Sequence, residues 1–352
     1  MDKKNTSVTR DGRLTKGLQG IRGRFFADGN MVRLSVIMVA SFVLMAALNP
    51  SVFLTSKNFL SMAYQFPEIG LFSIAVMIAM LLGGINLSVV GIGNLSAIIS
   101  AYTMIAVATA SGNNGLAIAA GVLAALAVGL ICGAVNGFLI ADVGVPAMLA
   151  TLGTMEIFSG IGIYLTKGSA VFGLPAGYEV IGGGTLIGIP IPLVIFIVVA
   201  AICAVVLQKR KFGLEIYLLG TNAKAARFTG INGKRDIVLS HMMGGLLAAI
   251  AGIIMSSRTI SAKADYGSSY TLQCILVAVL GGVDPNGGFG KVGGVVMAIL
   301  TLQFLSSGLN IMRADSYLKT FIWGAVLIAT LIINFYGNKS AEKRALNAGA
   351  AK

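Results

Sequence analysis

Histidine and tryptophan each occur once in this 352-residue chain, cysteine three times and proline seven times. Acidic residues number only 13, and all charged residues together make up 11%. Soluble domains run near 25% charged, so a water-exposed fold would lack the polar surface to cover itself. The one histidine, His241, reads as a helix-end residue: near the start of a span it has no Cys or carboxylate cluster for a metal site, and at that depth no Ser/His/Asp set can be assembled around it. Cys132, Cys203 and Cys274 each lie in an apolar run, and their spacing fits no metal motif or disulfide framework. No phosphate-binding loop is present: Gly290-Lys291 and Gly233-Lys234 lack both the upstream glycine and the following Ser or Thr. The chain is therefore not expected to hydrolyse ATP or to be an enzyme. A chain of intramembrane carboxylates, as a proton-driven carrier needs, is also missing.

What is abundant is apolar sequence, at 56%. Residues 34–48, 69–82 and 115–141 carry almost no charge. A bilayer span needs about 20 apolar residues, so the length allows roughly ten. The expected spans lie near 32–49, 67–82, 88–110, 115–140, 146–166, 190–207, 236–257, 269–281, 292–311 and 317–336. The first reads as a retained anchor, because the polar stretch before it is too long and mixed for a signal peptide.

The net charge of +13 comes from three blocks: residues 1–33, 207–236 and the tail after Tyr336. The positive-inside rule places all three in the cytoplasm. Six spans separate the first two blocks and four separate the last two; both numbers are even, as that placement requires. The expected fold is thus an all-α integral membrane protein with both termini cytoplasmic. Its organisation is a basic N-terminal segment 1–33, a transmembrane domain 34–336 and a tail 337–352. The host membrane is the bacterial inner membrane.

Two spans are interrupted. Pro67 is expected to start the second span, where a missing N–H costs little. That span runs into Gly83-Gly84-Ile85-Asn86-Leu87-Ser88, and residues 281–294 read GGVDPNGGFGKVGG. Paired breaks of this kind point to internal repeats and a central pathway; for 281–294 an ordinary tight loop is an equal reading. Small residues recur every fourth position at Gly121, Ala125, Gly129, Gly133 and Gly137, and again at Gly244, Ala248 and Gly252. Such stripes let helices approach closely.

Glu156 falls at the centre of the fifth span, where a charge costs about 2.5–3.5 kcal/mol on insertion scales. It is expected to face the interior, lining a path or making an interhelical hydrogen bond. Asn86, Ser88, Asn94, Thr151, Thr154, Gln303 and Asn310 are further candidates for a weakly polar path. Such a lining suits a neutral polyhydroxylated solute.

The longest internal hydrophilic segment, 208–236, contains a short helix from Ala223 to Thr229. Thr221 or Asn222 would cap it, Arg227 would suit its last turn and Gly230 would be its C′ residue. Too short to stand alone in water, it needs something to pack against. Small faces at Ala225 and Ala226 would seat it in a partner's groove.

This segment resembles the coupling loop of the ribose-type permease family of ATP-binding-cassette importers, at Gly213, Leu218, Gly220, Asn222, Ala225, Ala226, Arg227, Gly230 and Ile231, with Glu215 inside the same loop. FLTSKNF (53–59), GGINLSVVGIGNLSA (83–97) and NGFLIADVGVPAMLATLGTM (136–155) resemble further blocks of that family. The likeness covers roughly 50–335. Departures stand at Asn86, where the family usually has Asp, at Thr271 and Gln273 in place of an acidic pair, and at Val283-Asp284-Pro285-Asn286.

The resemblance implies a permease that moves a monosaccharide or related polyol. Its partners would be a cytoplasmic ATP-binding subunit on the 208–236 loop, a periplasmic sugar-binding protein and a second permease copy, identical or paralogous. No cofactor belongs to this chain; ATP and Mg would sit on the partner ATPase. A branched-chain amino acid permease is the alternative, and a secondary carrier or channel and a non-transporting scaffold stand behind it.

Overall fold

The computed structural model describes residues 29–328 apart from 316, together with 330 and 332. Segments 1–28 and 337–352, named above as cytoplasmic, lie outside them, as does most of the tenth span beyond 328. Eight of the described helices are long and apolar enough to cross a membrane. They are α1 (Gly29–Leu48), α3 (Ser56–Leu81), α4 (Val89–Ser111), α5 (Asn114–Phe138), α6 (Ala147–Thr166), α8 (Ile191–Lys209), α11 (Gly233–Thr259) and α13 (Val292–Ile311). Of the other two expected spans, α12 (Tyr270–Leu280) is a shorter apolar helix, and α14 is described over Tyr317–Ile328. At 1.5 Å per residue, eleven residues reach about half-way across a bilayer, so α12 is a half-span. A π-helical turn (Leu139–Val143) continuing α5, short helices α2 (Pro50–Phe53), α7 (Glu179–Gly183), α9 (Lys211–Thr221) and α10 (Ala223–Phe228), and a two-strand turn of β1 (Thr185–Leu186) with β2 (Ile189–Pro190), complete the described order.

Most expected boundaries fall within three residues of the helices; the second span is the exception. It begins eleven residues earlier, at Ser56, and Pro67 lies inside it rather than at its start. The start signal is Thr55, whose hydroxyl accepts from the Asn58 backbone N–H at 3.3 Å. Neighbouring helices make an interior proline tolerable in a membrane helix. The correction matters, because residues 56–66 carry one wall of the cavity described below.

α11 is the centre of the bundle, packed against α3, α4 and α5. The glycine stripes explain how. A Cβ on Gly129 would run into the Gly245 carbonyl, one on Gly133 into the His241 carbonyl, and one on Gly252 into the Gly93 carbonyl. Only hydrogen side chains allow backbones this near, and dispersion between them replaces a hydrophobic drive that lipid does not supply. His241 is accordingly buried in the third turn of α11, its Nδ1 2.9 Å from the Ile237 carbonyl, and is not a helix-end residue. The outer faces of α1, α5, α6 and α8 expose Val, Leu and Ile side chains, as a lipid-facing surface must.

Candidate translocation cavity and coupling end

The bundle has two ends. At one, the C-terminus of α3 meets the basic segment 208–236; at the other, the start of α3 meets the end of α13 through Ser307 Oγ donating to Asn58 Oδ1 at 2.7 Å. From this second end a cavity of about 710 Å³ opens between α3, α11, α12, α13 and α14.

Its floor is ionic. Glu68, on α3, is fully buried. Its Oε1 accepts from Arg258 Nη2 at 2.8 Å and from the Tyr270 hydroxyl at 2.8 Å. Its Oε2 has no partner among the described residues. A lone buried carboxylate would be costly, and Arg258, in the last turn of α11, offsets that cost by Coulomb attraction and hydrogen bonding. The rest of the wall is mostly neutral and polar, with Lys57 and Lys319 as its two further cations; Lys319 Nζ donates to Asn310 Oδ1 at 2.5 Å. Gln273 lies one turn along α12 from Tyr270, and Gln303 and Asn310 lie two turns apart on one face of α13. The Gln303 Nε2 is buried and finds no partner among the described residues. Tyr64 and Trp323, the chain's one tryptophan, add aromatic surface.

Of the expected path residues, the cavity thus contains Gln303 and Asn310. Four others meet elsewhere, in a network that fixes the first glycine break. Asn86 Oδ1 accepts from Ser88 Oγ at 2.8 Å, and Ser88 Oγ accepts from Asn136 Nδ2 at 2.7 Å. Asn136 Oδ1 accepts from Thr154 Oγ1 at 2.6 Å. Thr151 Oγ1 accepts from the Leu87 N–H at 3.1 Å and donates to the Ile85 carbonyl at 3.0 Å. The irregular backbone 83–88 is thereby satisfied by α5 and α6, as irregular backbone within a membrane requires. Asn94 instead donates to the carbonyls of Ala264 and Tyr266, both at 2.8 Å, holding the loop after α11. Glu156 corrects the expectation outright: it is exposed on the outer face of α6, because Thr151, Thr154 and Phe158 occupy the inward face.

Glu68, Arg258 and Tyr270 were missed by sequence reasoning. Starting the second span at 67 made Glu68 look like a helix-end charge, and ending the seventh at 257 put Arg258 just outside it. The rule applied to Glu156, that an ionisable group within an apolar span needs a reason, would have found both.

At the basic end, 208–236 forms two helices where one was expected. α9 is additional; α10 matches the expected short helix. Asn222, not Thr221, caps α10 by accepting from the Ala225 N–H at 3.0 Å. Gly230, at φ +80°, ends it: its N–H reaches the Arg227 carbonyl at 3.1 Å and the Ile231 N–H reaches Ala226 at 3.3 Å, the paired bonds of a Schellman stop. Ala225 is exposed, but Ala226 is buried against its own chain and offers no free face. Arg227 and Leu218 are exposed, Glu215 pairs with Lys211 at 3.5 Å, and Phe228, which sequence reasoning passed over, is 93% exposed.

α9 is seated on both glycine breaks. A Cβ on Gly220 would collide with the Leu81 carbonyl and stand 2.6 Å from the Gly288 nitrogen. The Gly288 N–H donates to the Leu81 carbonyl at 2.9 Å, and the Tyr217 hydroxyl to Gly290 at 2.6 Å. Burial holds the Tyr217 phenol above its ordinary pKa, so it remains a donor. Gly213 similarly seats the start of α9 against the Leu207 carbonyl. The segment 281–291 is therefore an ordered turn packed on the first break at this end, away from the cavity.

A bundle of interrupted membrane helices with a polar cavity at one end and surface helices locked to its breaks at the other is the architecture of a transport permease. Residues 58–331 match the family model described as the permease component of branched-chain amino acid transport systems. The chain is 32% identical over 324 residues to the ribose import permease protein of Bacillus subtilis, covering 91% of this chain and 98% of that one. It is 31% identical to an autoinducer 2 import system permease protein of Photorhabdus laumondii, over 85% of this chain and 89% of that one. It is 30% identical to the D-allose transport system permease protein of Escherichia coli, over 85% and 88%. No solved structure matches. The chain belongs to this family of transport-system permeases and is a multi-pass inner-membrane protein.

Proposed function

We propose that this chain is the membrane-spanning subunit of an ATP-driven importer for a monosaccharide or related polyol. The observation that carries the reading is the 710 Å³ cavity, with its Gln273, Gln303 and Asn310 amides, its Tyr64 and Trp323 rings and no uncompensated cation at its floor. Amides hydrogen-bond hydroxyls of either polarity, and aromatic faces cover the apolar side of a sugar ring. An amino acid would need a carboxylate for its ammonium, and the one in this lining, Glu68, is engaged by Arg258. The ribose and D-allose named for two of the relatives favour the same class, whereas the family description favours branched-chain amino acids.

In this reading the cavity faces the periplasm, where a binding protein delivers solute. The ends 1–33 and 337–352 and the helices α9 and α10 lie in the cytoplasm. A separate ATPase, carrying ATP and Mg, engages the coupling residues Gly213 to Gly230. Two permease copies, identical or paralogous, form the working unit. Force on α9 reaches the ends of α3 and α12 through Gly220, Leu81 and Gly288. Asn86, Ser88, Thr151 and Thr154 keep that end rigid.

The test is uptake of labelled ribose, allose and leucine by cells whose own importers for these solutes are deleted and which express the whole system. Expected are uptake of a sugar, loss of at least tenfold in Gln303→Ala at unchanged protein level, and no competition by leucine. Leucine uptake abolished by the same substitution would overturn the sugar reading in favour of the amino acid one.

A further inference from the structure

A second cavity, of about 510 Å³, lies at the basic end between α9, the Gly230–Asn232 turn and the start of α11. Its lining includes Lys211, Glu215, Arg235, Asp236 and Leu239. Asp236 is 4% exposed, yet its Oδ2 accepts no hydrogen bond from any described residue. Lys211 and Arg235 attract it only through space, and no nearby basic group hydrogen-bonds its Oδ2. Lys211 is engaged with Glu215 at 3.5 Å, on α9. Lys234 donates to Asp142 at 2.9 Å. Arg235 is exposed and adjacent in sequence on one helix, where successive side chains diverge instead of facing each other. Burying a carboxylate without a partner is unfavourable, so this one is arranged for a cation that arrives from outside.

We propose that this cavity is a socket for one lysine or arginine side chain of the ATP-hydrolysing subunit, which enters beside α9 and pairs with Asp236, with Glu215 at the rim. The proposal rests on the coupling role given to α9 and α10 above. Three observations select this occupant. The socket is continuous with that surface, sharing Glu215 with α9 and Gly230 with the end of α10. The ligand it lacks is a cation, although the surrounding segment is itself basic. Its two walls are the elements whose relative movement would have to be sensed: α9, locked to the ends of α3 and α12, and α11, the centre of the bundle. A cation bridging Asp236 and Glu215 would tie them together only while the partner is seated.

The experiment uses the full chain in detergent micelles and its own purified ATPase subunit, with Kd measured from about 50 to about 500 mM salt, a range that spans weak to strong screening. Wild-type binding is the control for the coupling reading: if the ATPase does not bind at all, that reading fails first. Given binding, Asp236→Asn is expected to raise Kd at least tenfold at low salt and to flatten its salt dependence. Asp236→Glu should recover part of the affinity. Leu239→Trp, which fills the socket from α11 without touching a charge, should weaken binding as much and provides a readout where Asp236→Asn fails to fold. Wild-type Kd and wild-type salt dependence in both Asp236→Asn and Leu239→Trp overturn the proposal. So does a Kd that becomes insensitive to Asp236→Asn once residues 1–28 are deleted, because the occupant is then the chain's own basic segment.

Discussion

Replacing Gly220 by alanine tests the junction that ties the coupling end to the bundle. The added Cβ meets the Leu81 carbonyl and lies 2.6 Å from the Gly288 nitrogen, and both are backbone atoms that no rotamer change can move. Relief requires α9 to lift from the junction or Leu81 and Gly288 to part, and the second route strains or breaks their hydrogen bond of 2.9 Å. Overpacking of this kind costs about 1–3 kcal/mol, and a lost buried hydrogen bond adds about 0.5–1.5 kcal/mol. Alanine is the better helix former by about 1 kcal/mol, which leaves a net destabilisation of about 1–3 kcal/mol. The assay is reversible unfolding in mixed micelles, with Gly153→Ala as the control. Gly153 sits on α6, and no atom lies within 4 Å of where an alanine methyl would stand, so that variant should be neutral or slightly stabilising. Gly220→Ala should also reduce uptake more than its loss of folded protein explains. Equal stability of the two variants would refute the junction, and with it the physical link from α9 to α3.

Asn136→Ala should destabilise by about 2–4 kcal/mol, because Ser88 and Thr154 each lose a buried partner at once; hydrogen exchange at residues 83–88 would rise with it. Arg258→Ala leaves the Glu68 carboxylate buried without its cation, at a cost of about 3–5 kcal/mol; Arg258→Ala combined with Glu68→Gln should recover most of the melting temperature but not uptake. Asn222→Ala removes the α10 cap and should cost about 1 kcal/mol, read as faster proteolysis at 222–230 while the transmembrane bundle stays intact.

Much of the architecture was legible as pattern. Apolar runs marked the spans, the basic block 207–236 marked one end, and glycine spacing in α5 marked a packing seam, because each follows from a local rule of burial in lipid. Asn222 and Gly230 were equally legible, since a cap is a contact over three or four residues. The candidate site was read less well. Asn86, Ser88, Thr151 and Thr154 were chosen as polar residues in membrane spans, but polarity alone does not say whether a group faces a cavity or another side chain. Glu156 was assigned inward for its cost in lipid, while its helix turns Thr151, Thr154 and Phe158 inward instead.

The sequence by itself determined that this chain lives in a membrane, where its helices lie, which end is basic and which family it joins, because composition, periodicity and motif are carried by neighbours along the chain. Only the tertiary structure decided that Glu68, Arg258 and Tyr270 share one floor, that Asn136 completes the polar network, and that the two glycine breaks meet under α9. Those pairings join residues between 18 and 207 positions apart, and they exist because α11, threaded with glycine, lets the helices around it close to backbone contact.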